Sequence, residues 1–75
     1  MFKKTKMGIV ENISRDVYAL QTKHERVMFK ARKENDVSIE IISIFDLKSQ
    51  KYCNYNKYQT KYEDIKDCFL ELIAN

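Results

Sequence analysis

The sequence predicts an α+β fold: a helix, a three-stranded antiparallel meander and a second helix. Three observations carry this expectation. Val10, Ile13, Val17 and Leu20 recur at helical spacing near the start. The stretch VSIEIISIF, residues 37–45, is dense in β-branched residues. Tyr62, Ile65, Phe69 and Leu72 form a second helical stripe near the end.

The first stripe can be extended through His24, Val27 and Ala31 at heptad spacing. That gives the alternative architecture: a long N-terminal helix to about Glu34, a β-hairpin and a C-terminal helix. The preferred reading breaks the helix near Thr22 to Glu25. RVMFKARK, residues 26–33, then becomes a strand with Val27, Phe29 and Ala31 inward and Met28, Lys30 and Arg32 outward. Three strands are favoured over two because a lone hairpin is marginal in water. Glu34-Asn35-Asp36 turns into the next strand.

In that strand Val37, Ile39, Ile41, Ser43 and Phe45 alternate with Ile42 and Ile44 on the opposite face. Apolar residues on both sides suggest a central strand covered on both. After a turn over residues 46–50, KYCNYNKY (51–58) reads as an edge strand, with Tyr52, Asn54, Asn56 and Tyr58 on one face. Thr60 and Glu63 then fit a capping box for a helix over residues 61–73, with Cys68 and Ile73 widening its buried stripe.

Length and composition bound the rest. Seventy-five residues with one Gly and no Pro or Trp make one domain, residues 1–75. Such a chain buries roughly 63% of its unfolded surface, so its core is small. A homodimer, or docking on a larger partner, would widen the stability margin. No apolar run approaches a membrane span. The apolar part of the basic start runs only from Met7 to Val10, too short for a secretion signal. The expected location is therefore cytoplasmic, with Cys53 and Cys68 as free thiols.

Catalysis has little support. His24 is the lone histidine, no glycine-rich phosphate loop exists, and His24 and the two cysteines lack metal-ligand spacing. The expectation is no enzyme, no catalytic residue, no metal and no cofactor.

Binding has more. Residues 51–63 hold four of the five tyrosines, interleaved with lysines. Tyrosine buries large area at low entropy cost and keeps a polar tip, as protein-binding patches require. The candidate partner-binding set is Lys51, Tyr52, Asn54, Asn56, Tyr58, Lys61 and Tyr62. The plainer reading is an edge strand whose lysines block unwanted pairing. A secondary basic patch comprises Lys23, Arg26, Lys30, Arg32 and Lys33, and Lys3, Lys4 and Lys6 form a third group on a frayed terminus.

The charge is uneven. Residues 1–61 carry +6 and residues 62–75 carry −3. A basic body suits anionic partners, so a small nucleic-acid-binding module or dimeric regulator is the alternative function. Protein contact is favoured because residues 51–63 contain Lys but no Arg, the better group for stacking and forked phosphate contacts. The chain is rich in Lys, Ile, Tyr and Asn and poor in Gly, Pro and Ala. In this it resembles accessory proteins of phages and mobile elements from AT-rich genomes. That resemblance implies a small inhibitor or adaptor docking on a larger host protein, such as a nucleic-acid-processing or defence machine.

Overall fold

The computed structural model describes residues 2–53 and 55–74, with residues 55–60 as backbone only. Among the described residues it has six strands and one helix. The strands are β1 (Phe2–Lys4), β2 (Ile9–Ser14), β3 (Val17–Gln21), β4 (Glu25–Lys33), β5 (Val37–Asp46) and β6 (Lys51–Tyr52); α1 spans Tyr55–Ile73. The strands pair antiparallel in sequence order as one meander. This overturns the helix, three-strand, helix architecture and its long-helix alternative. The N-terminal third is a pair of hairpins, and α1 is the C-terminal element.

The correction has a definite cause. Val10 and Leu20 do both face the core, but as direct cross-strand partners. Between them the chain reverses over Arg15 and Asp16, with Asp16 at a φ of 62°. Asp tolerates this left-handed conformation better than most residues. The register shifts between Asn12 and Ser14, and Ile13 falls in that irregularity, 45% exposed. A bulge inserts one residue and changes the phase of a strand. Val17 pairs with the outward Lys30, so the helical spacing joins two core residues, Val10 and Leu20, to two that are not. The Asn12 amide holds the reversal by donating to the carbonyls of Ser14 and Val17.

A second bulge explains β5. Phe29 pairs with Ile41 while the adjacent Met28 pairs with Ser43, so Ile42 is extra. Ile39 and Ile41 face the helix on one side of the shift, and Ile44 faces it on the other. Ile39, Ile41 and Ile44 therefore serve one face, and Phe45 lies on the other. Ile42 itself is exposed.

The core lies between α1 and the inner face of the sheet. Val10, Leu20, Val27 and Ile44 form a row across β2 to β5, all essentially without solvent contact. Tyr18, Phe29 and Ile41 form the next row. The Tyr18 ring stacks on Phe29 at 5.7 Å and meets Phe69 of α1 edge-on at 5.2 Å. Such pairs add to the burial of area. From the helix Ile65, Cys68, Phe69 and Leu72 are buried and Tyr62 packs against them, as the stripe predicts. Ile73, expected to widen it, is 38% exposed. The helix begins five residues before Thr60, so the Thr60–Glu63 capping box lies inside the helix and caps nothing.

The first hairpin rests on the one glycine. A Cβ on Gly8 would sit 2.1 Å from the Gln21 carbonyl oxygen and 3.1 Å from Thr22 Cα. The β1–β2 turn is thus seated against the end of β3. Thr5 fixes it: its hydroxyl donates to the Gly8 carbonyl at 2.8 Å and accepts from the Gly8 N–H. The terminus expected to fray is instead β1, and Lys3 Nζ donates to the Glu71 carbonyl of α1.

Two predictions follow from this packing. Gly8→Ala should cost about 1–3 kcal/mol, the range for overpacking, and lower the thermal midpoint by roughly 10 °C; an unchanged midpoint would mean the turn is not seated there. Cys53 and Cys68 are both free thiols, as expected from the sequence. Cys68 is buried, and burial pushes its thiol above the ordinary value of 9.0. In the native protein an alkylating agent should label the half-buried Cys53 well before Cys68. The unfolded chain releases the Cys68 proton more readily, so stability is present below the ordinary thiol value and is lost as pH rises above it. A pH series of native-state labelling and thermal melts checks both.

Candidate binding surface

Seven residues were expected to form one surface, and the structure divides them. The strand that begins at Lys51 ends at Tyr52, and α1 begins at Tyr55. Lys51 and Tyr52 are exposed on β6. Asn54 lies outside the described residues. Asn56 and Tyr58 lie on α1, not on a strand, and their side chains are outside the description. Tyr62 is half-buried against the core. In the sequence, the helical stripe continues back to position 58 by one more step of four. Residues 53–60 hold no Gly or Pro to stop a helix. Alternating Tyr and Asn with no apolar face were a weak strand signal beside that.

Lys61 is an internal partner rather than a surface contact. Its Nζ lies 2.8 Å from Glu25 Oε1. The Glu25 side chain is only 4% exposed. Glu25 opens β4 and its backbone is held by Thr22, whose hydroxyl accepts from the Glu25 N–H and donates to the Glu25 carbonyl. A buried charge is retained when paired and is costly when its partner is removed. This ion pair therefore fixes the start of α1 over the β3–β4 turn.

The face of the sheet opposite α1 has no covering element among the described residues. Two rows cross it. Phe2, Glu11, Ala19, Met28 and Ser43 form one. Lys4, Ile9, Gln21, Arg26, Phe45 and Tyr52 form the other. Phe2 is 70% exposed, Tyr52 69% and Ile9 45%. The Phe45 and Tyr52 rings meet edge-on at 5.0 Å. Ala19 is buried between Glu11 and Met28 and forms a small floor.

Arg26, Lys30 and Arg32 of the expected basic patch share this face, alternating along β4. Lys33 ends β4, and Lys23 sits in the β3–β4 turn beside His24. The three on the strand are not equivalent. Arg32 pairs with Asp16 at 3.3 Å, an exposed contact of little energy. Lys30 stands opposite Glu40. Arg26 lies between Gln21 and Phe45. Of the apolar centre of the face, alternation in the sequence puts Met28 outward, while Ile9 and Phe45 were missed. A period-two reading of residues 9–21 with one bulge would have found Ile9 beside Gln21.

The described residues hold no group of three or more His, Cys, Asp or Glu arranged to hold a metal ion. No helix among them is long and apolar enough to cross a membrane. No protein family model, curated protein or solved structure matches the chain.

Lys61→Met should destabilise the fold by about 1.5–3 kcal/mol, the scale for losing a hydrogen bond to a charged group. Lys61→Arg should restore most of the loss in a denaturant melt. Equal stability of the wild type and Lys61→Met would show that the pair is not structural.

Proposed function

We propose that this chain is a small non-enzymatic binding protein that docks on a larger protein through the sheet face opposite α1. One observation carries the reading: a sheet with aromatic, aliphatic and Met side chains on the face that no element covers among the described residues. Interface centres are enriched in aromatic residues, Met and Arg and depleted in Lys and Glu. Ile9, Arg26, Met28 and Phe45 fit the centre, with Phe2 and Tyr52 as aromatic groups at its two ends; Lys4, Lys30 and Glu40 fit a rim. An inhibitor or adaptor needs such a surface and no catalytic group. The net charge of +3 favours an acidic or neutral site on the partner over the basic channel of a nucleic-acid enzyme.

A second reading has its own observation. Arg26 adjoins the Phe45–Tyr52 pair, with Lys4 at the far end of the same row. Aromatic rings beside cationic groups on an open sheet suit stacked, single-stranded nucleic acid.

The test is capture from a host lysate by three baits: the wild type, Phe2→Ala/Tyr52→Ala, and Leu70→Ala on the outer side of α1. The account expects one protein held by the wild type and by Leu70→Ala. The double variant should bind it at least ~30-fold more weakly, the scale of a hot-spot loss, with an unchanged thermal midpoint. Equal capture by all three would rule this face out. Tight binding to a single-stranded oligonucleotide, falling steeply with salt, would establish the second reading instead.

A further inference from the structure

We propose that β5 carries a self-complementary edge through which two copies of this chain join their sheets. The sheet has three places where a strand's hydrogen-bonding side lacks a neighbour among the described residues. β1 is three residues long and two of them are lysines. The end of β2 beyond β1 is bent by its bulge. Short edges, lysines and bulges are the devices that prevent edge pairing. β5 lacks them. It spans ten residues; β6 pairs with Phe45 and Asp46, and the Cys53 N–H donates to the Ile44 carbonyl, so the open stretch runs from Val37 to Ser43. From Val37 to Ile44 the strand has no Lys, Arg or Pro. Its backbone groups on that side are a ready template for a further strand.

The side chains identify the occupant as a second copy. Val37-Ser38-Ile39-Glu40-Ile41 is complementary to itself when run antiparallel about Ile39. Ile39 then meets Ile39 of the second copy, Val37 meets Ile41, and Ser38 meets Glu40 on both sides of the two-fold axis. Val37, Ile39 and Ile41 line the inner face, so the pairing prolongs the apolar rows beneath the helices. Ser38 and Glu40 are exposed on the opposite face, where the hydroxyl can donate to the carboxylate. Centring on Glu40 would set two carboxylates together. Centring on Ile41 would set Glu40 against Ile42. Of these three registers the Ile39 one satisfies both faces, and it ends before the bulge at Ile42. The helices of the two copies would lie on one side of a continuous sheet, leaving both outer faces on the other.

Because Ser38 and Glu40 are exposed, their charges can be changed without touching the core. Sedimentation of the intact chain over a concentration series reads the result. The wild type should form a dimer. Ser38→Glu places two like-charge pairs across the axis and should weaken the dimer about tenfold. Ser38→Glu/Glu40→Lys restores opposite charges and should recover it. Ser38→Lys, facing Glu40, should hold the dimer or tighten it. Circular dichroism and thermal melts must show each variant folded. A wild type that stays monomeric at every concentration overturns the proposal, as does a dimer indifferent to Ser38→Glu.

Discussion

A single helix can cover one face of a sheet, and this constraint shapes the whole molecule. The buried row Val10, Leu20, Val27 and Ile44 must face α1 in register on four strands. Everything apolar that the row and its neighbours cannot absorb is left on the other face. The two bulges are consequences of the same demand. In β5 the extra residue at Ile42 lets Ile39, Ile41 and Ile44 all point inward, which strict alternation forbids. In β2 the irregularity at Ile13 lets the chain reverse at Arg15 and Asp16 while Val10 keeps its place opposite Leu20.

The helix is fixed over the sheet at both ends by different chemistry. Near its start, Lys61 meets the buried carboxylate of Glu25. Near its end, Lys3 of β1 donates to the carbonyl of Glu71. Between these, the Tyr18 ring bridges Phe29 and Phe69. A chain this short has a thin stability margin. The polar anchors select one orientation of a helix that apolar burial alone would leave free to turn.

Parts of this were legible in the sequence. The stripe of Tyr62, Ile65, Phe69 and Leu72 marked the core side of α1, because helical spacing there has no competing pattern. Alternation in residues 26–33 placed Val27, Phe29 and Ala31 inward correctly, and put Met28, Lys30 and Arg32 together on the outer face. The first hairpins were not legible. Ile13 sits in the bulge and Val17 pairs with the outward Lys30, so their helical spacing with the inward Val10 and Leu20 is a coincidence that local pattern cannot expose. Tyr52 belongs to the candidate surface, but two of its expected companions face elsewhere: Lys61 meets Glu25 and Tyr62 packs on the core. The residues that join Tyr52 come from β1, β2 and β4, and only the register of the meander brings them together.

The central claim is that one face of the sheet is closed by α1 and the other is open. Methyl relaxation in the presence of a dissolved paramagnetic agent tests it most directly. The account predicts strong relaxation of the Ile9 and Ile42 methyls and little effect at Leu20, Ile44 and Ile65. Equal protection of the two groups would contradict a one-sided fold and, with it, the binding face.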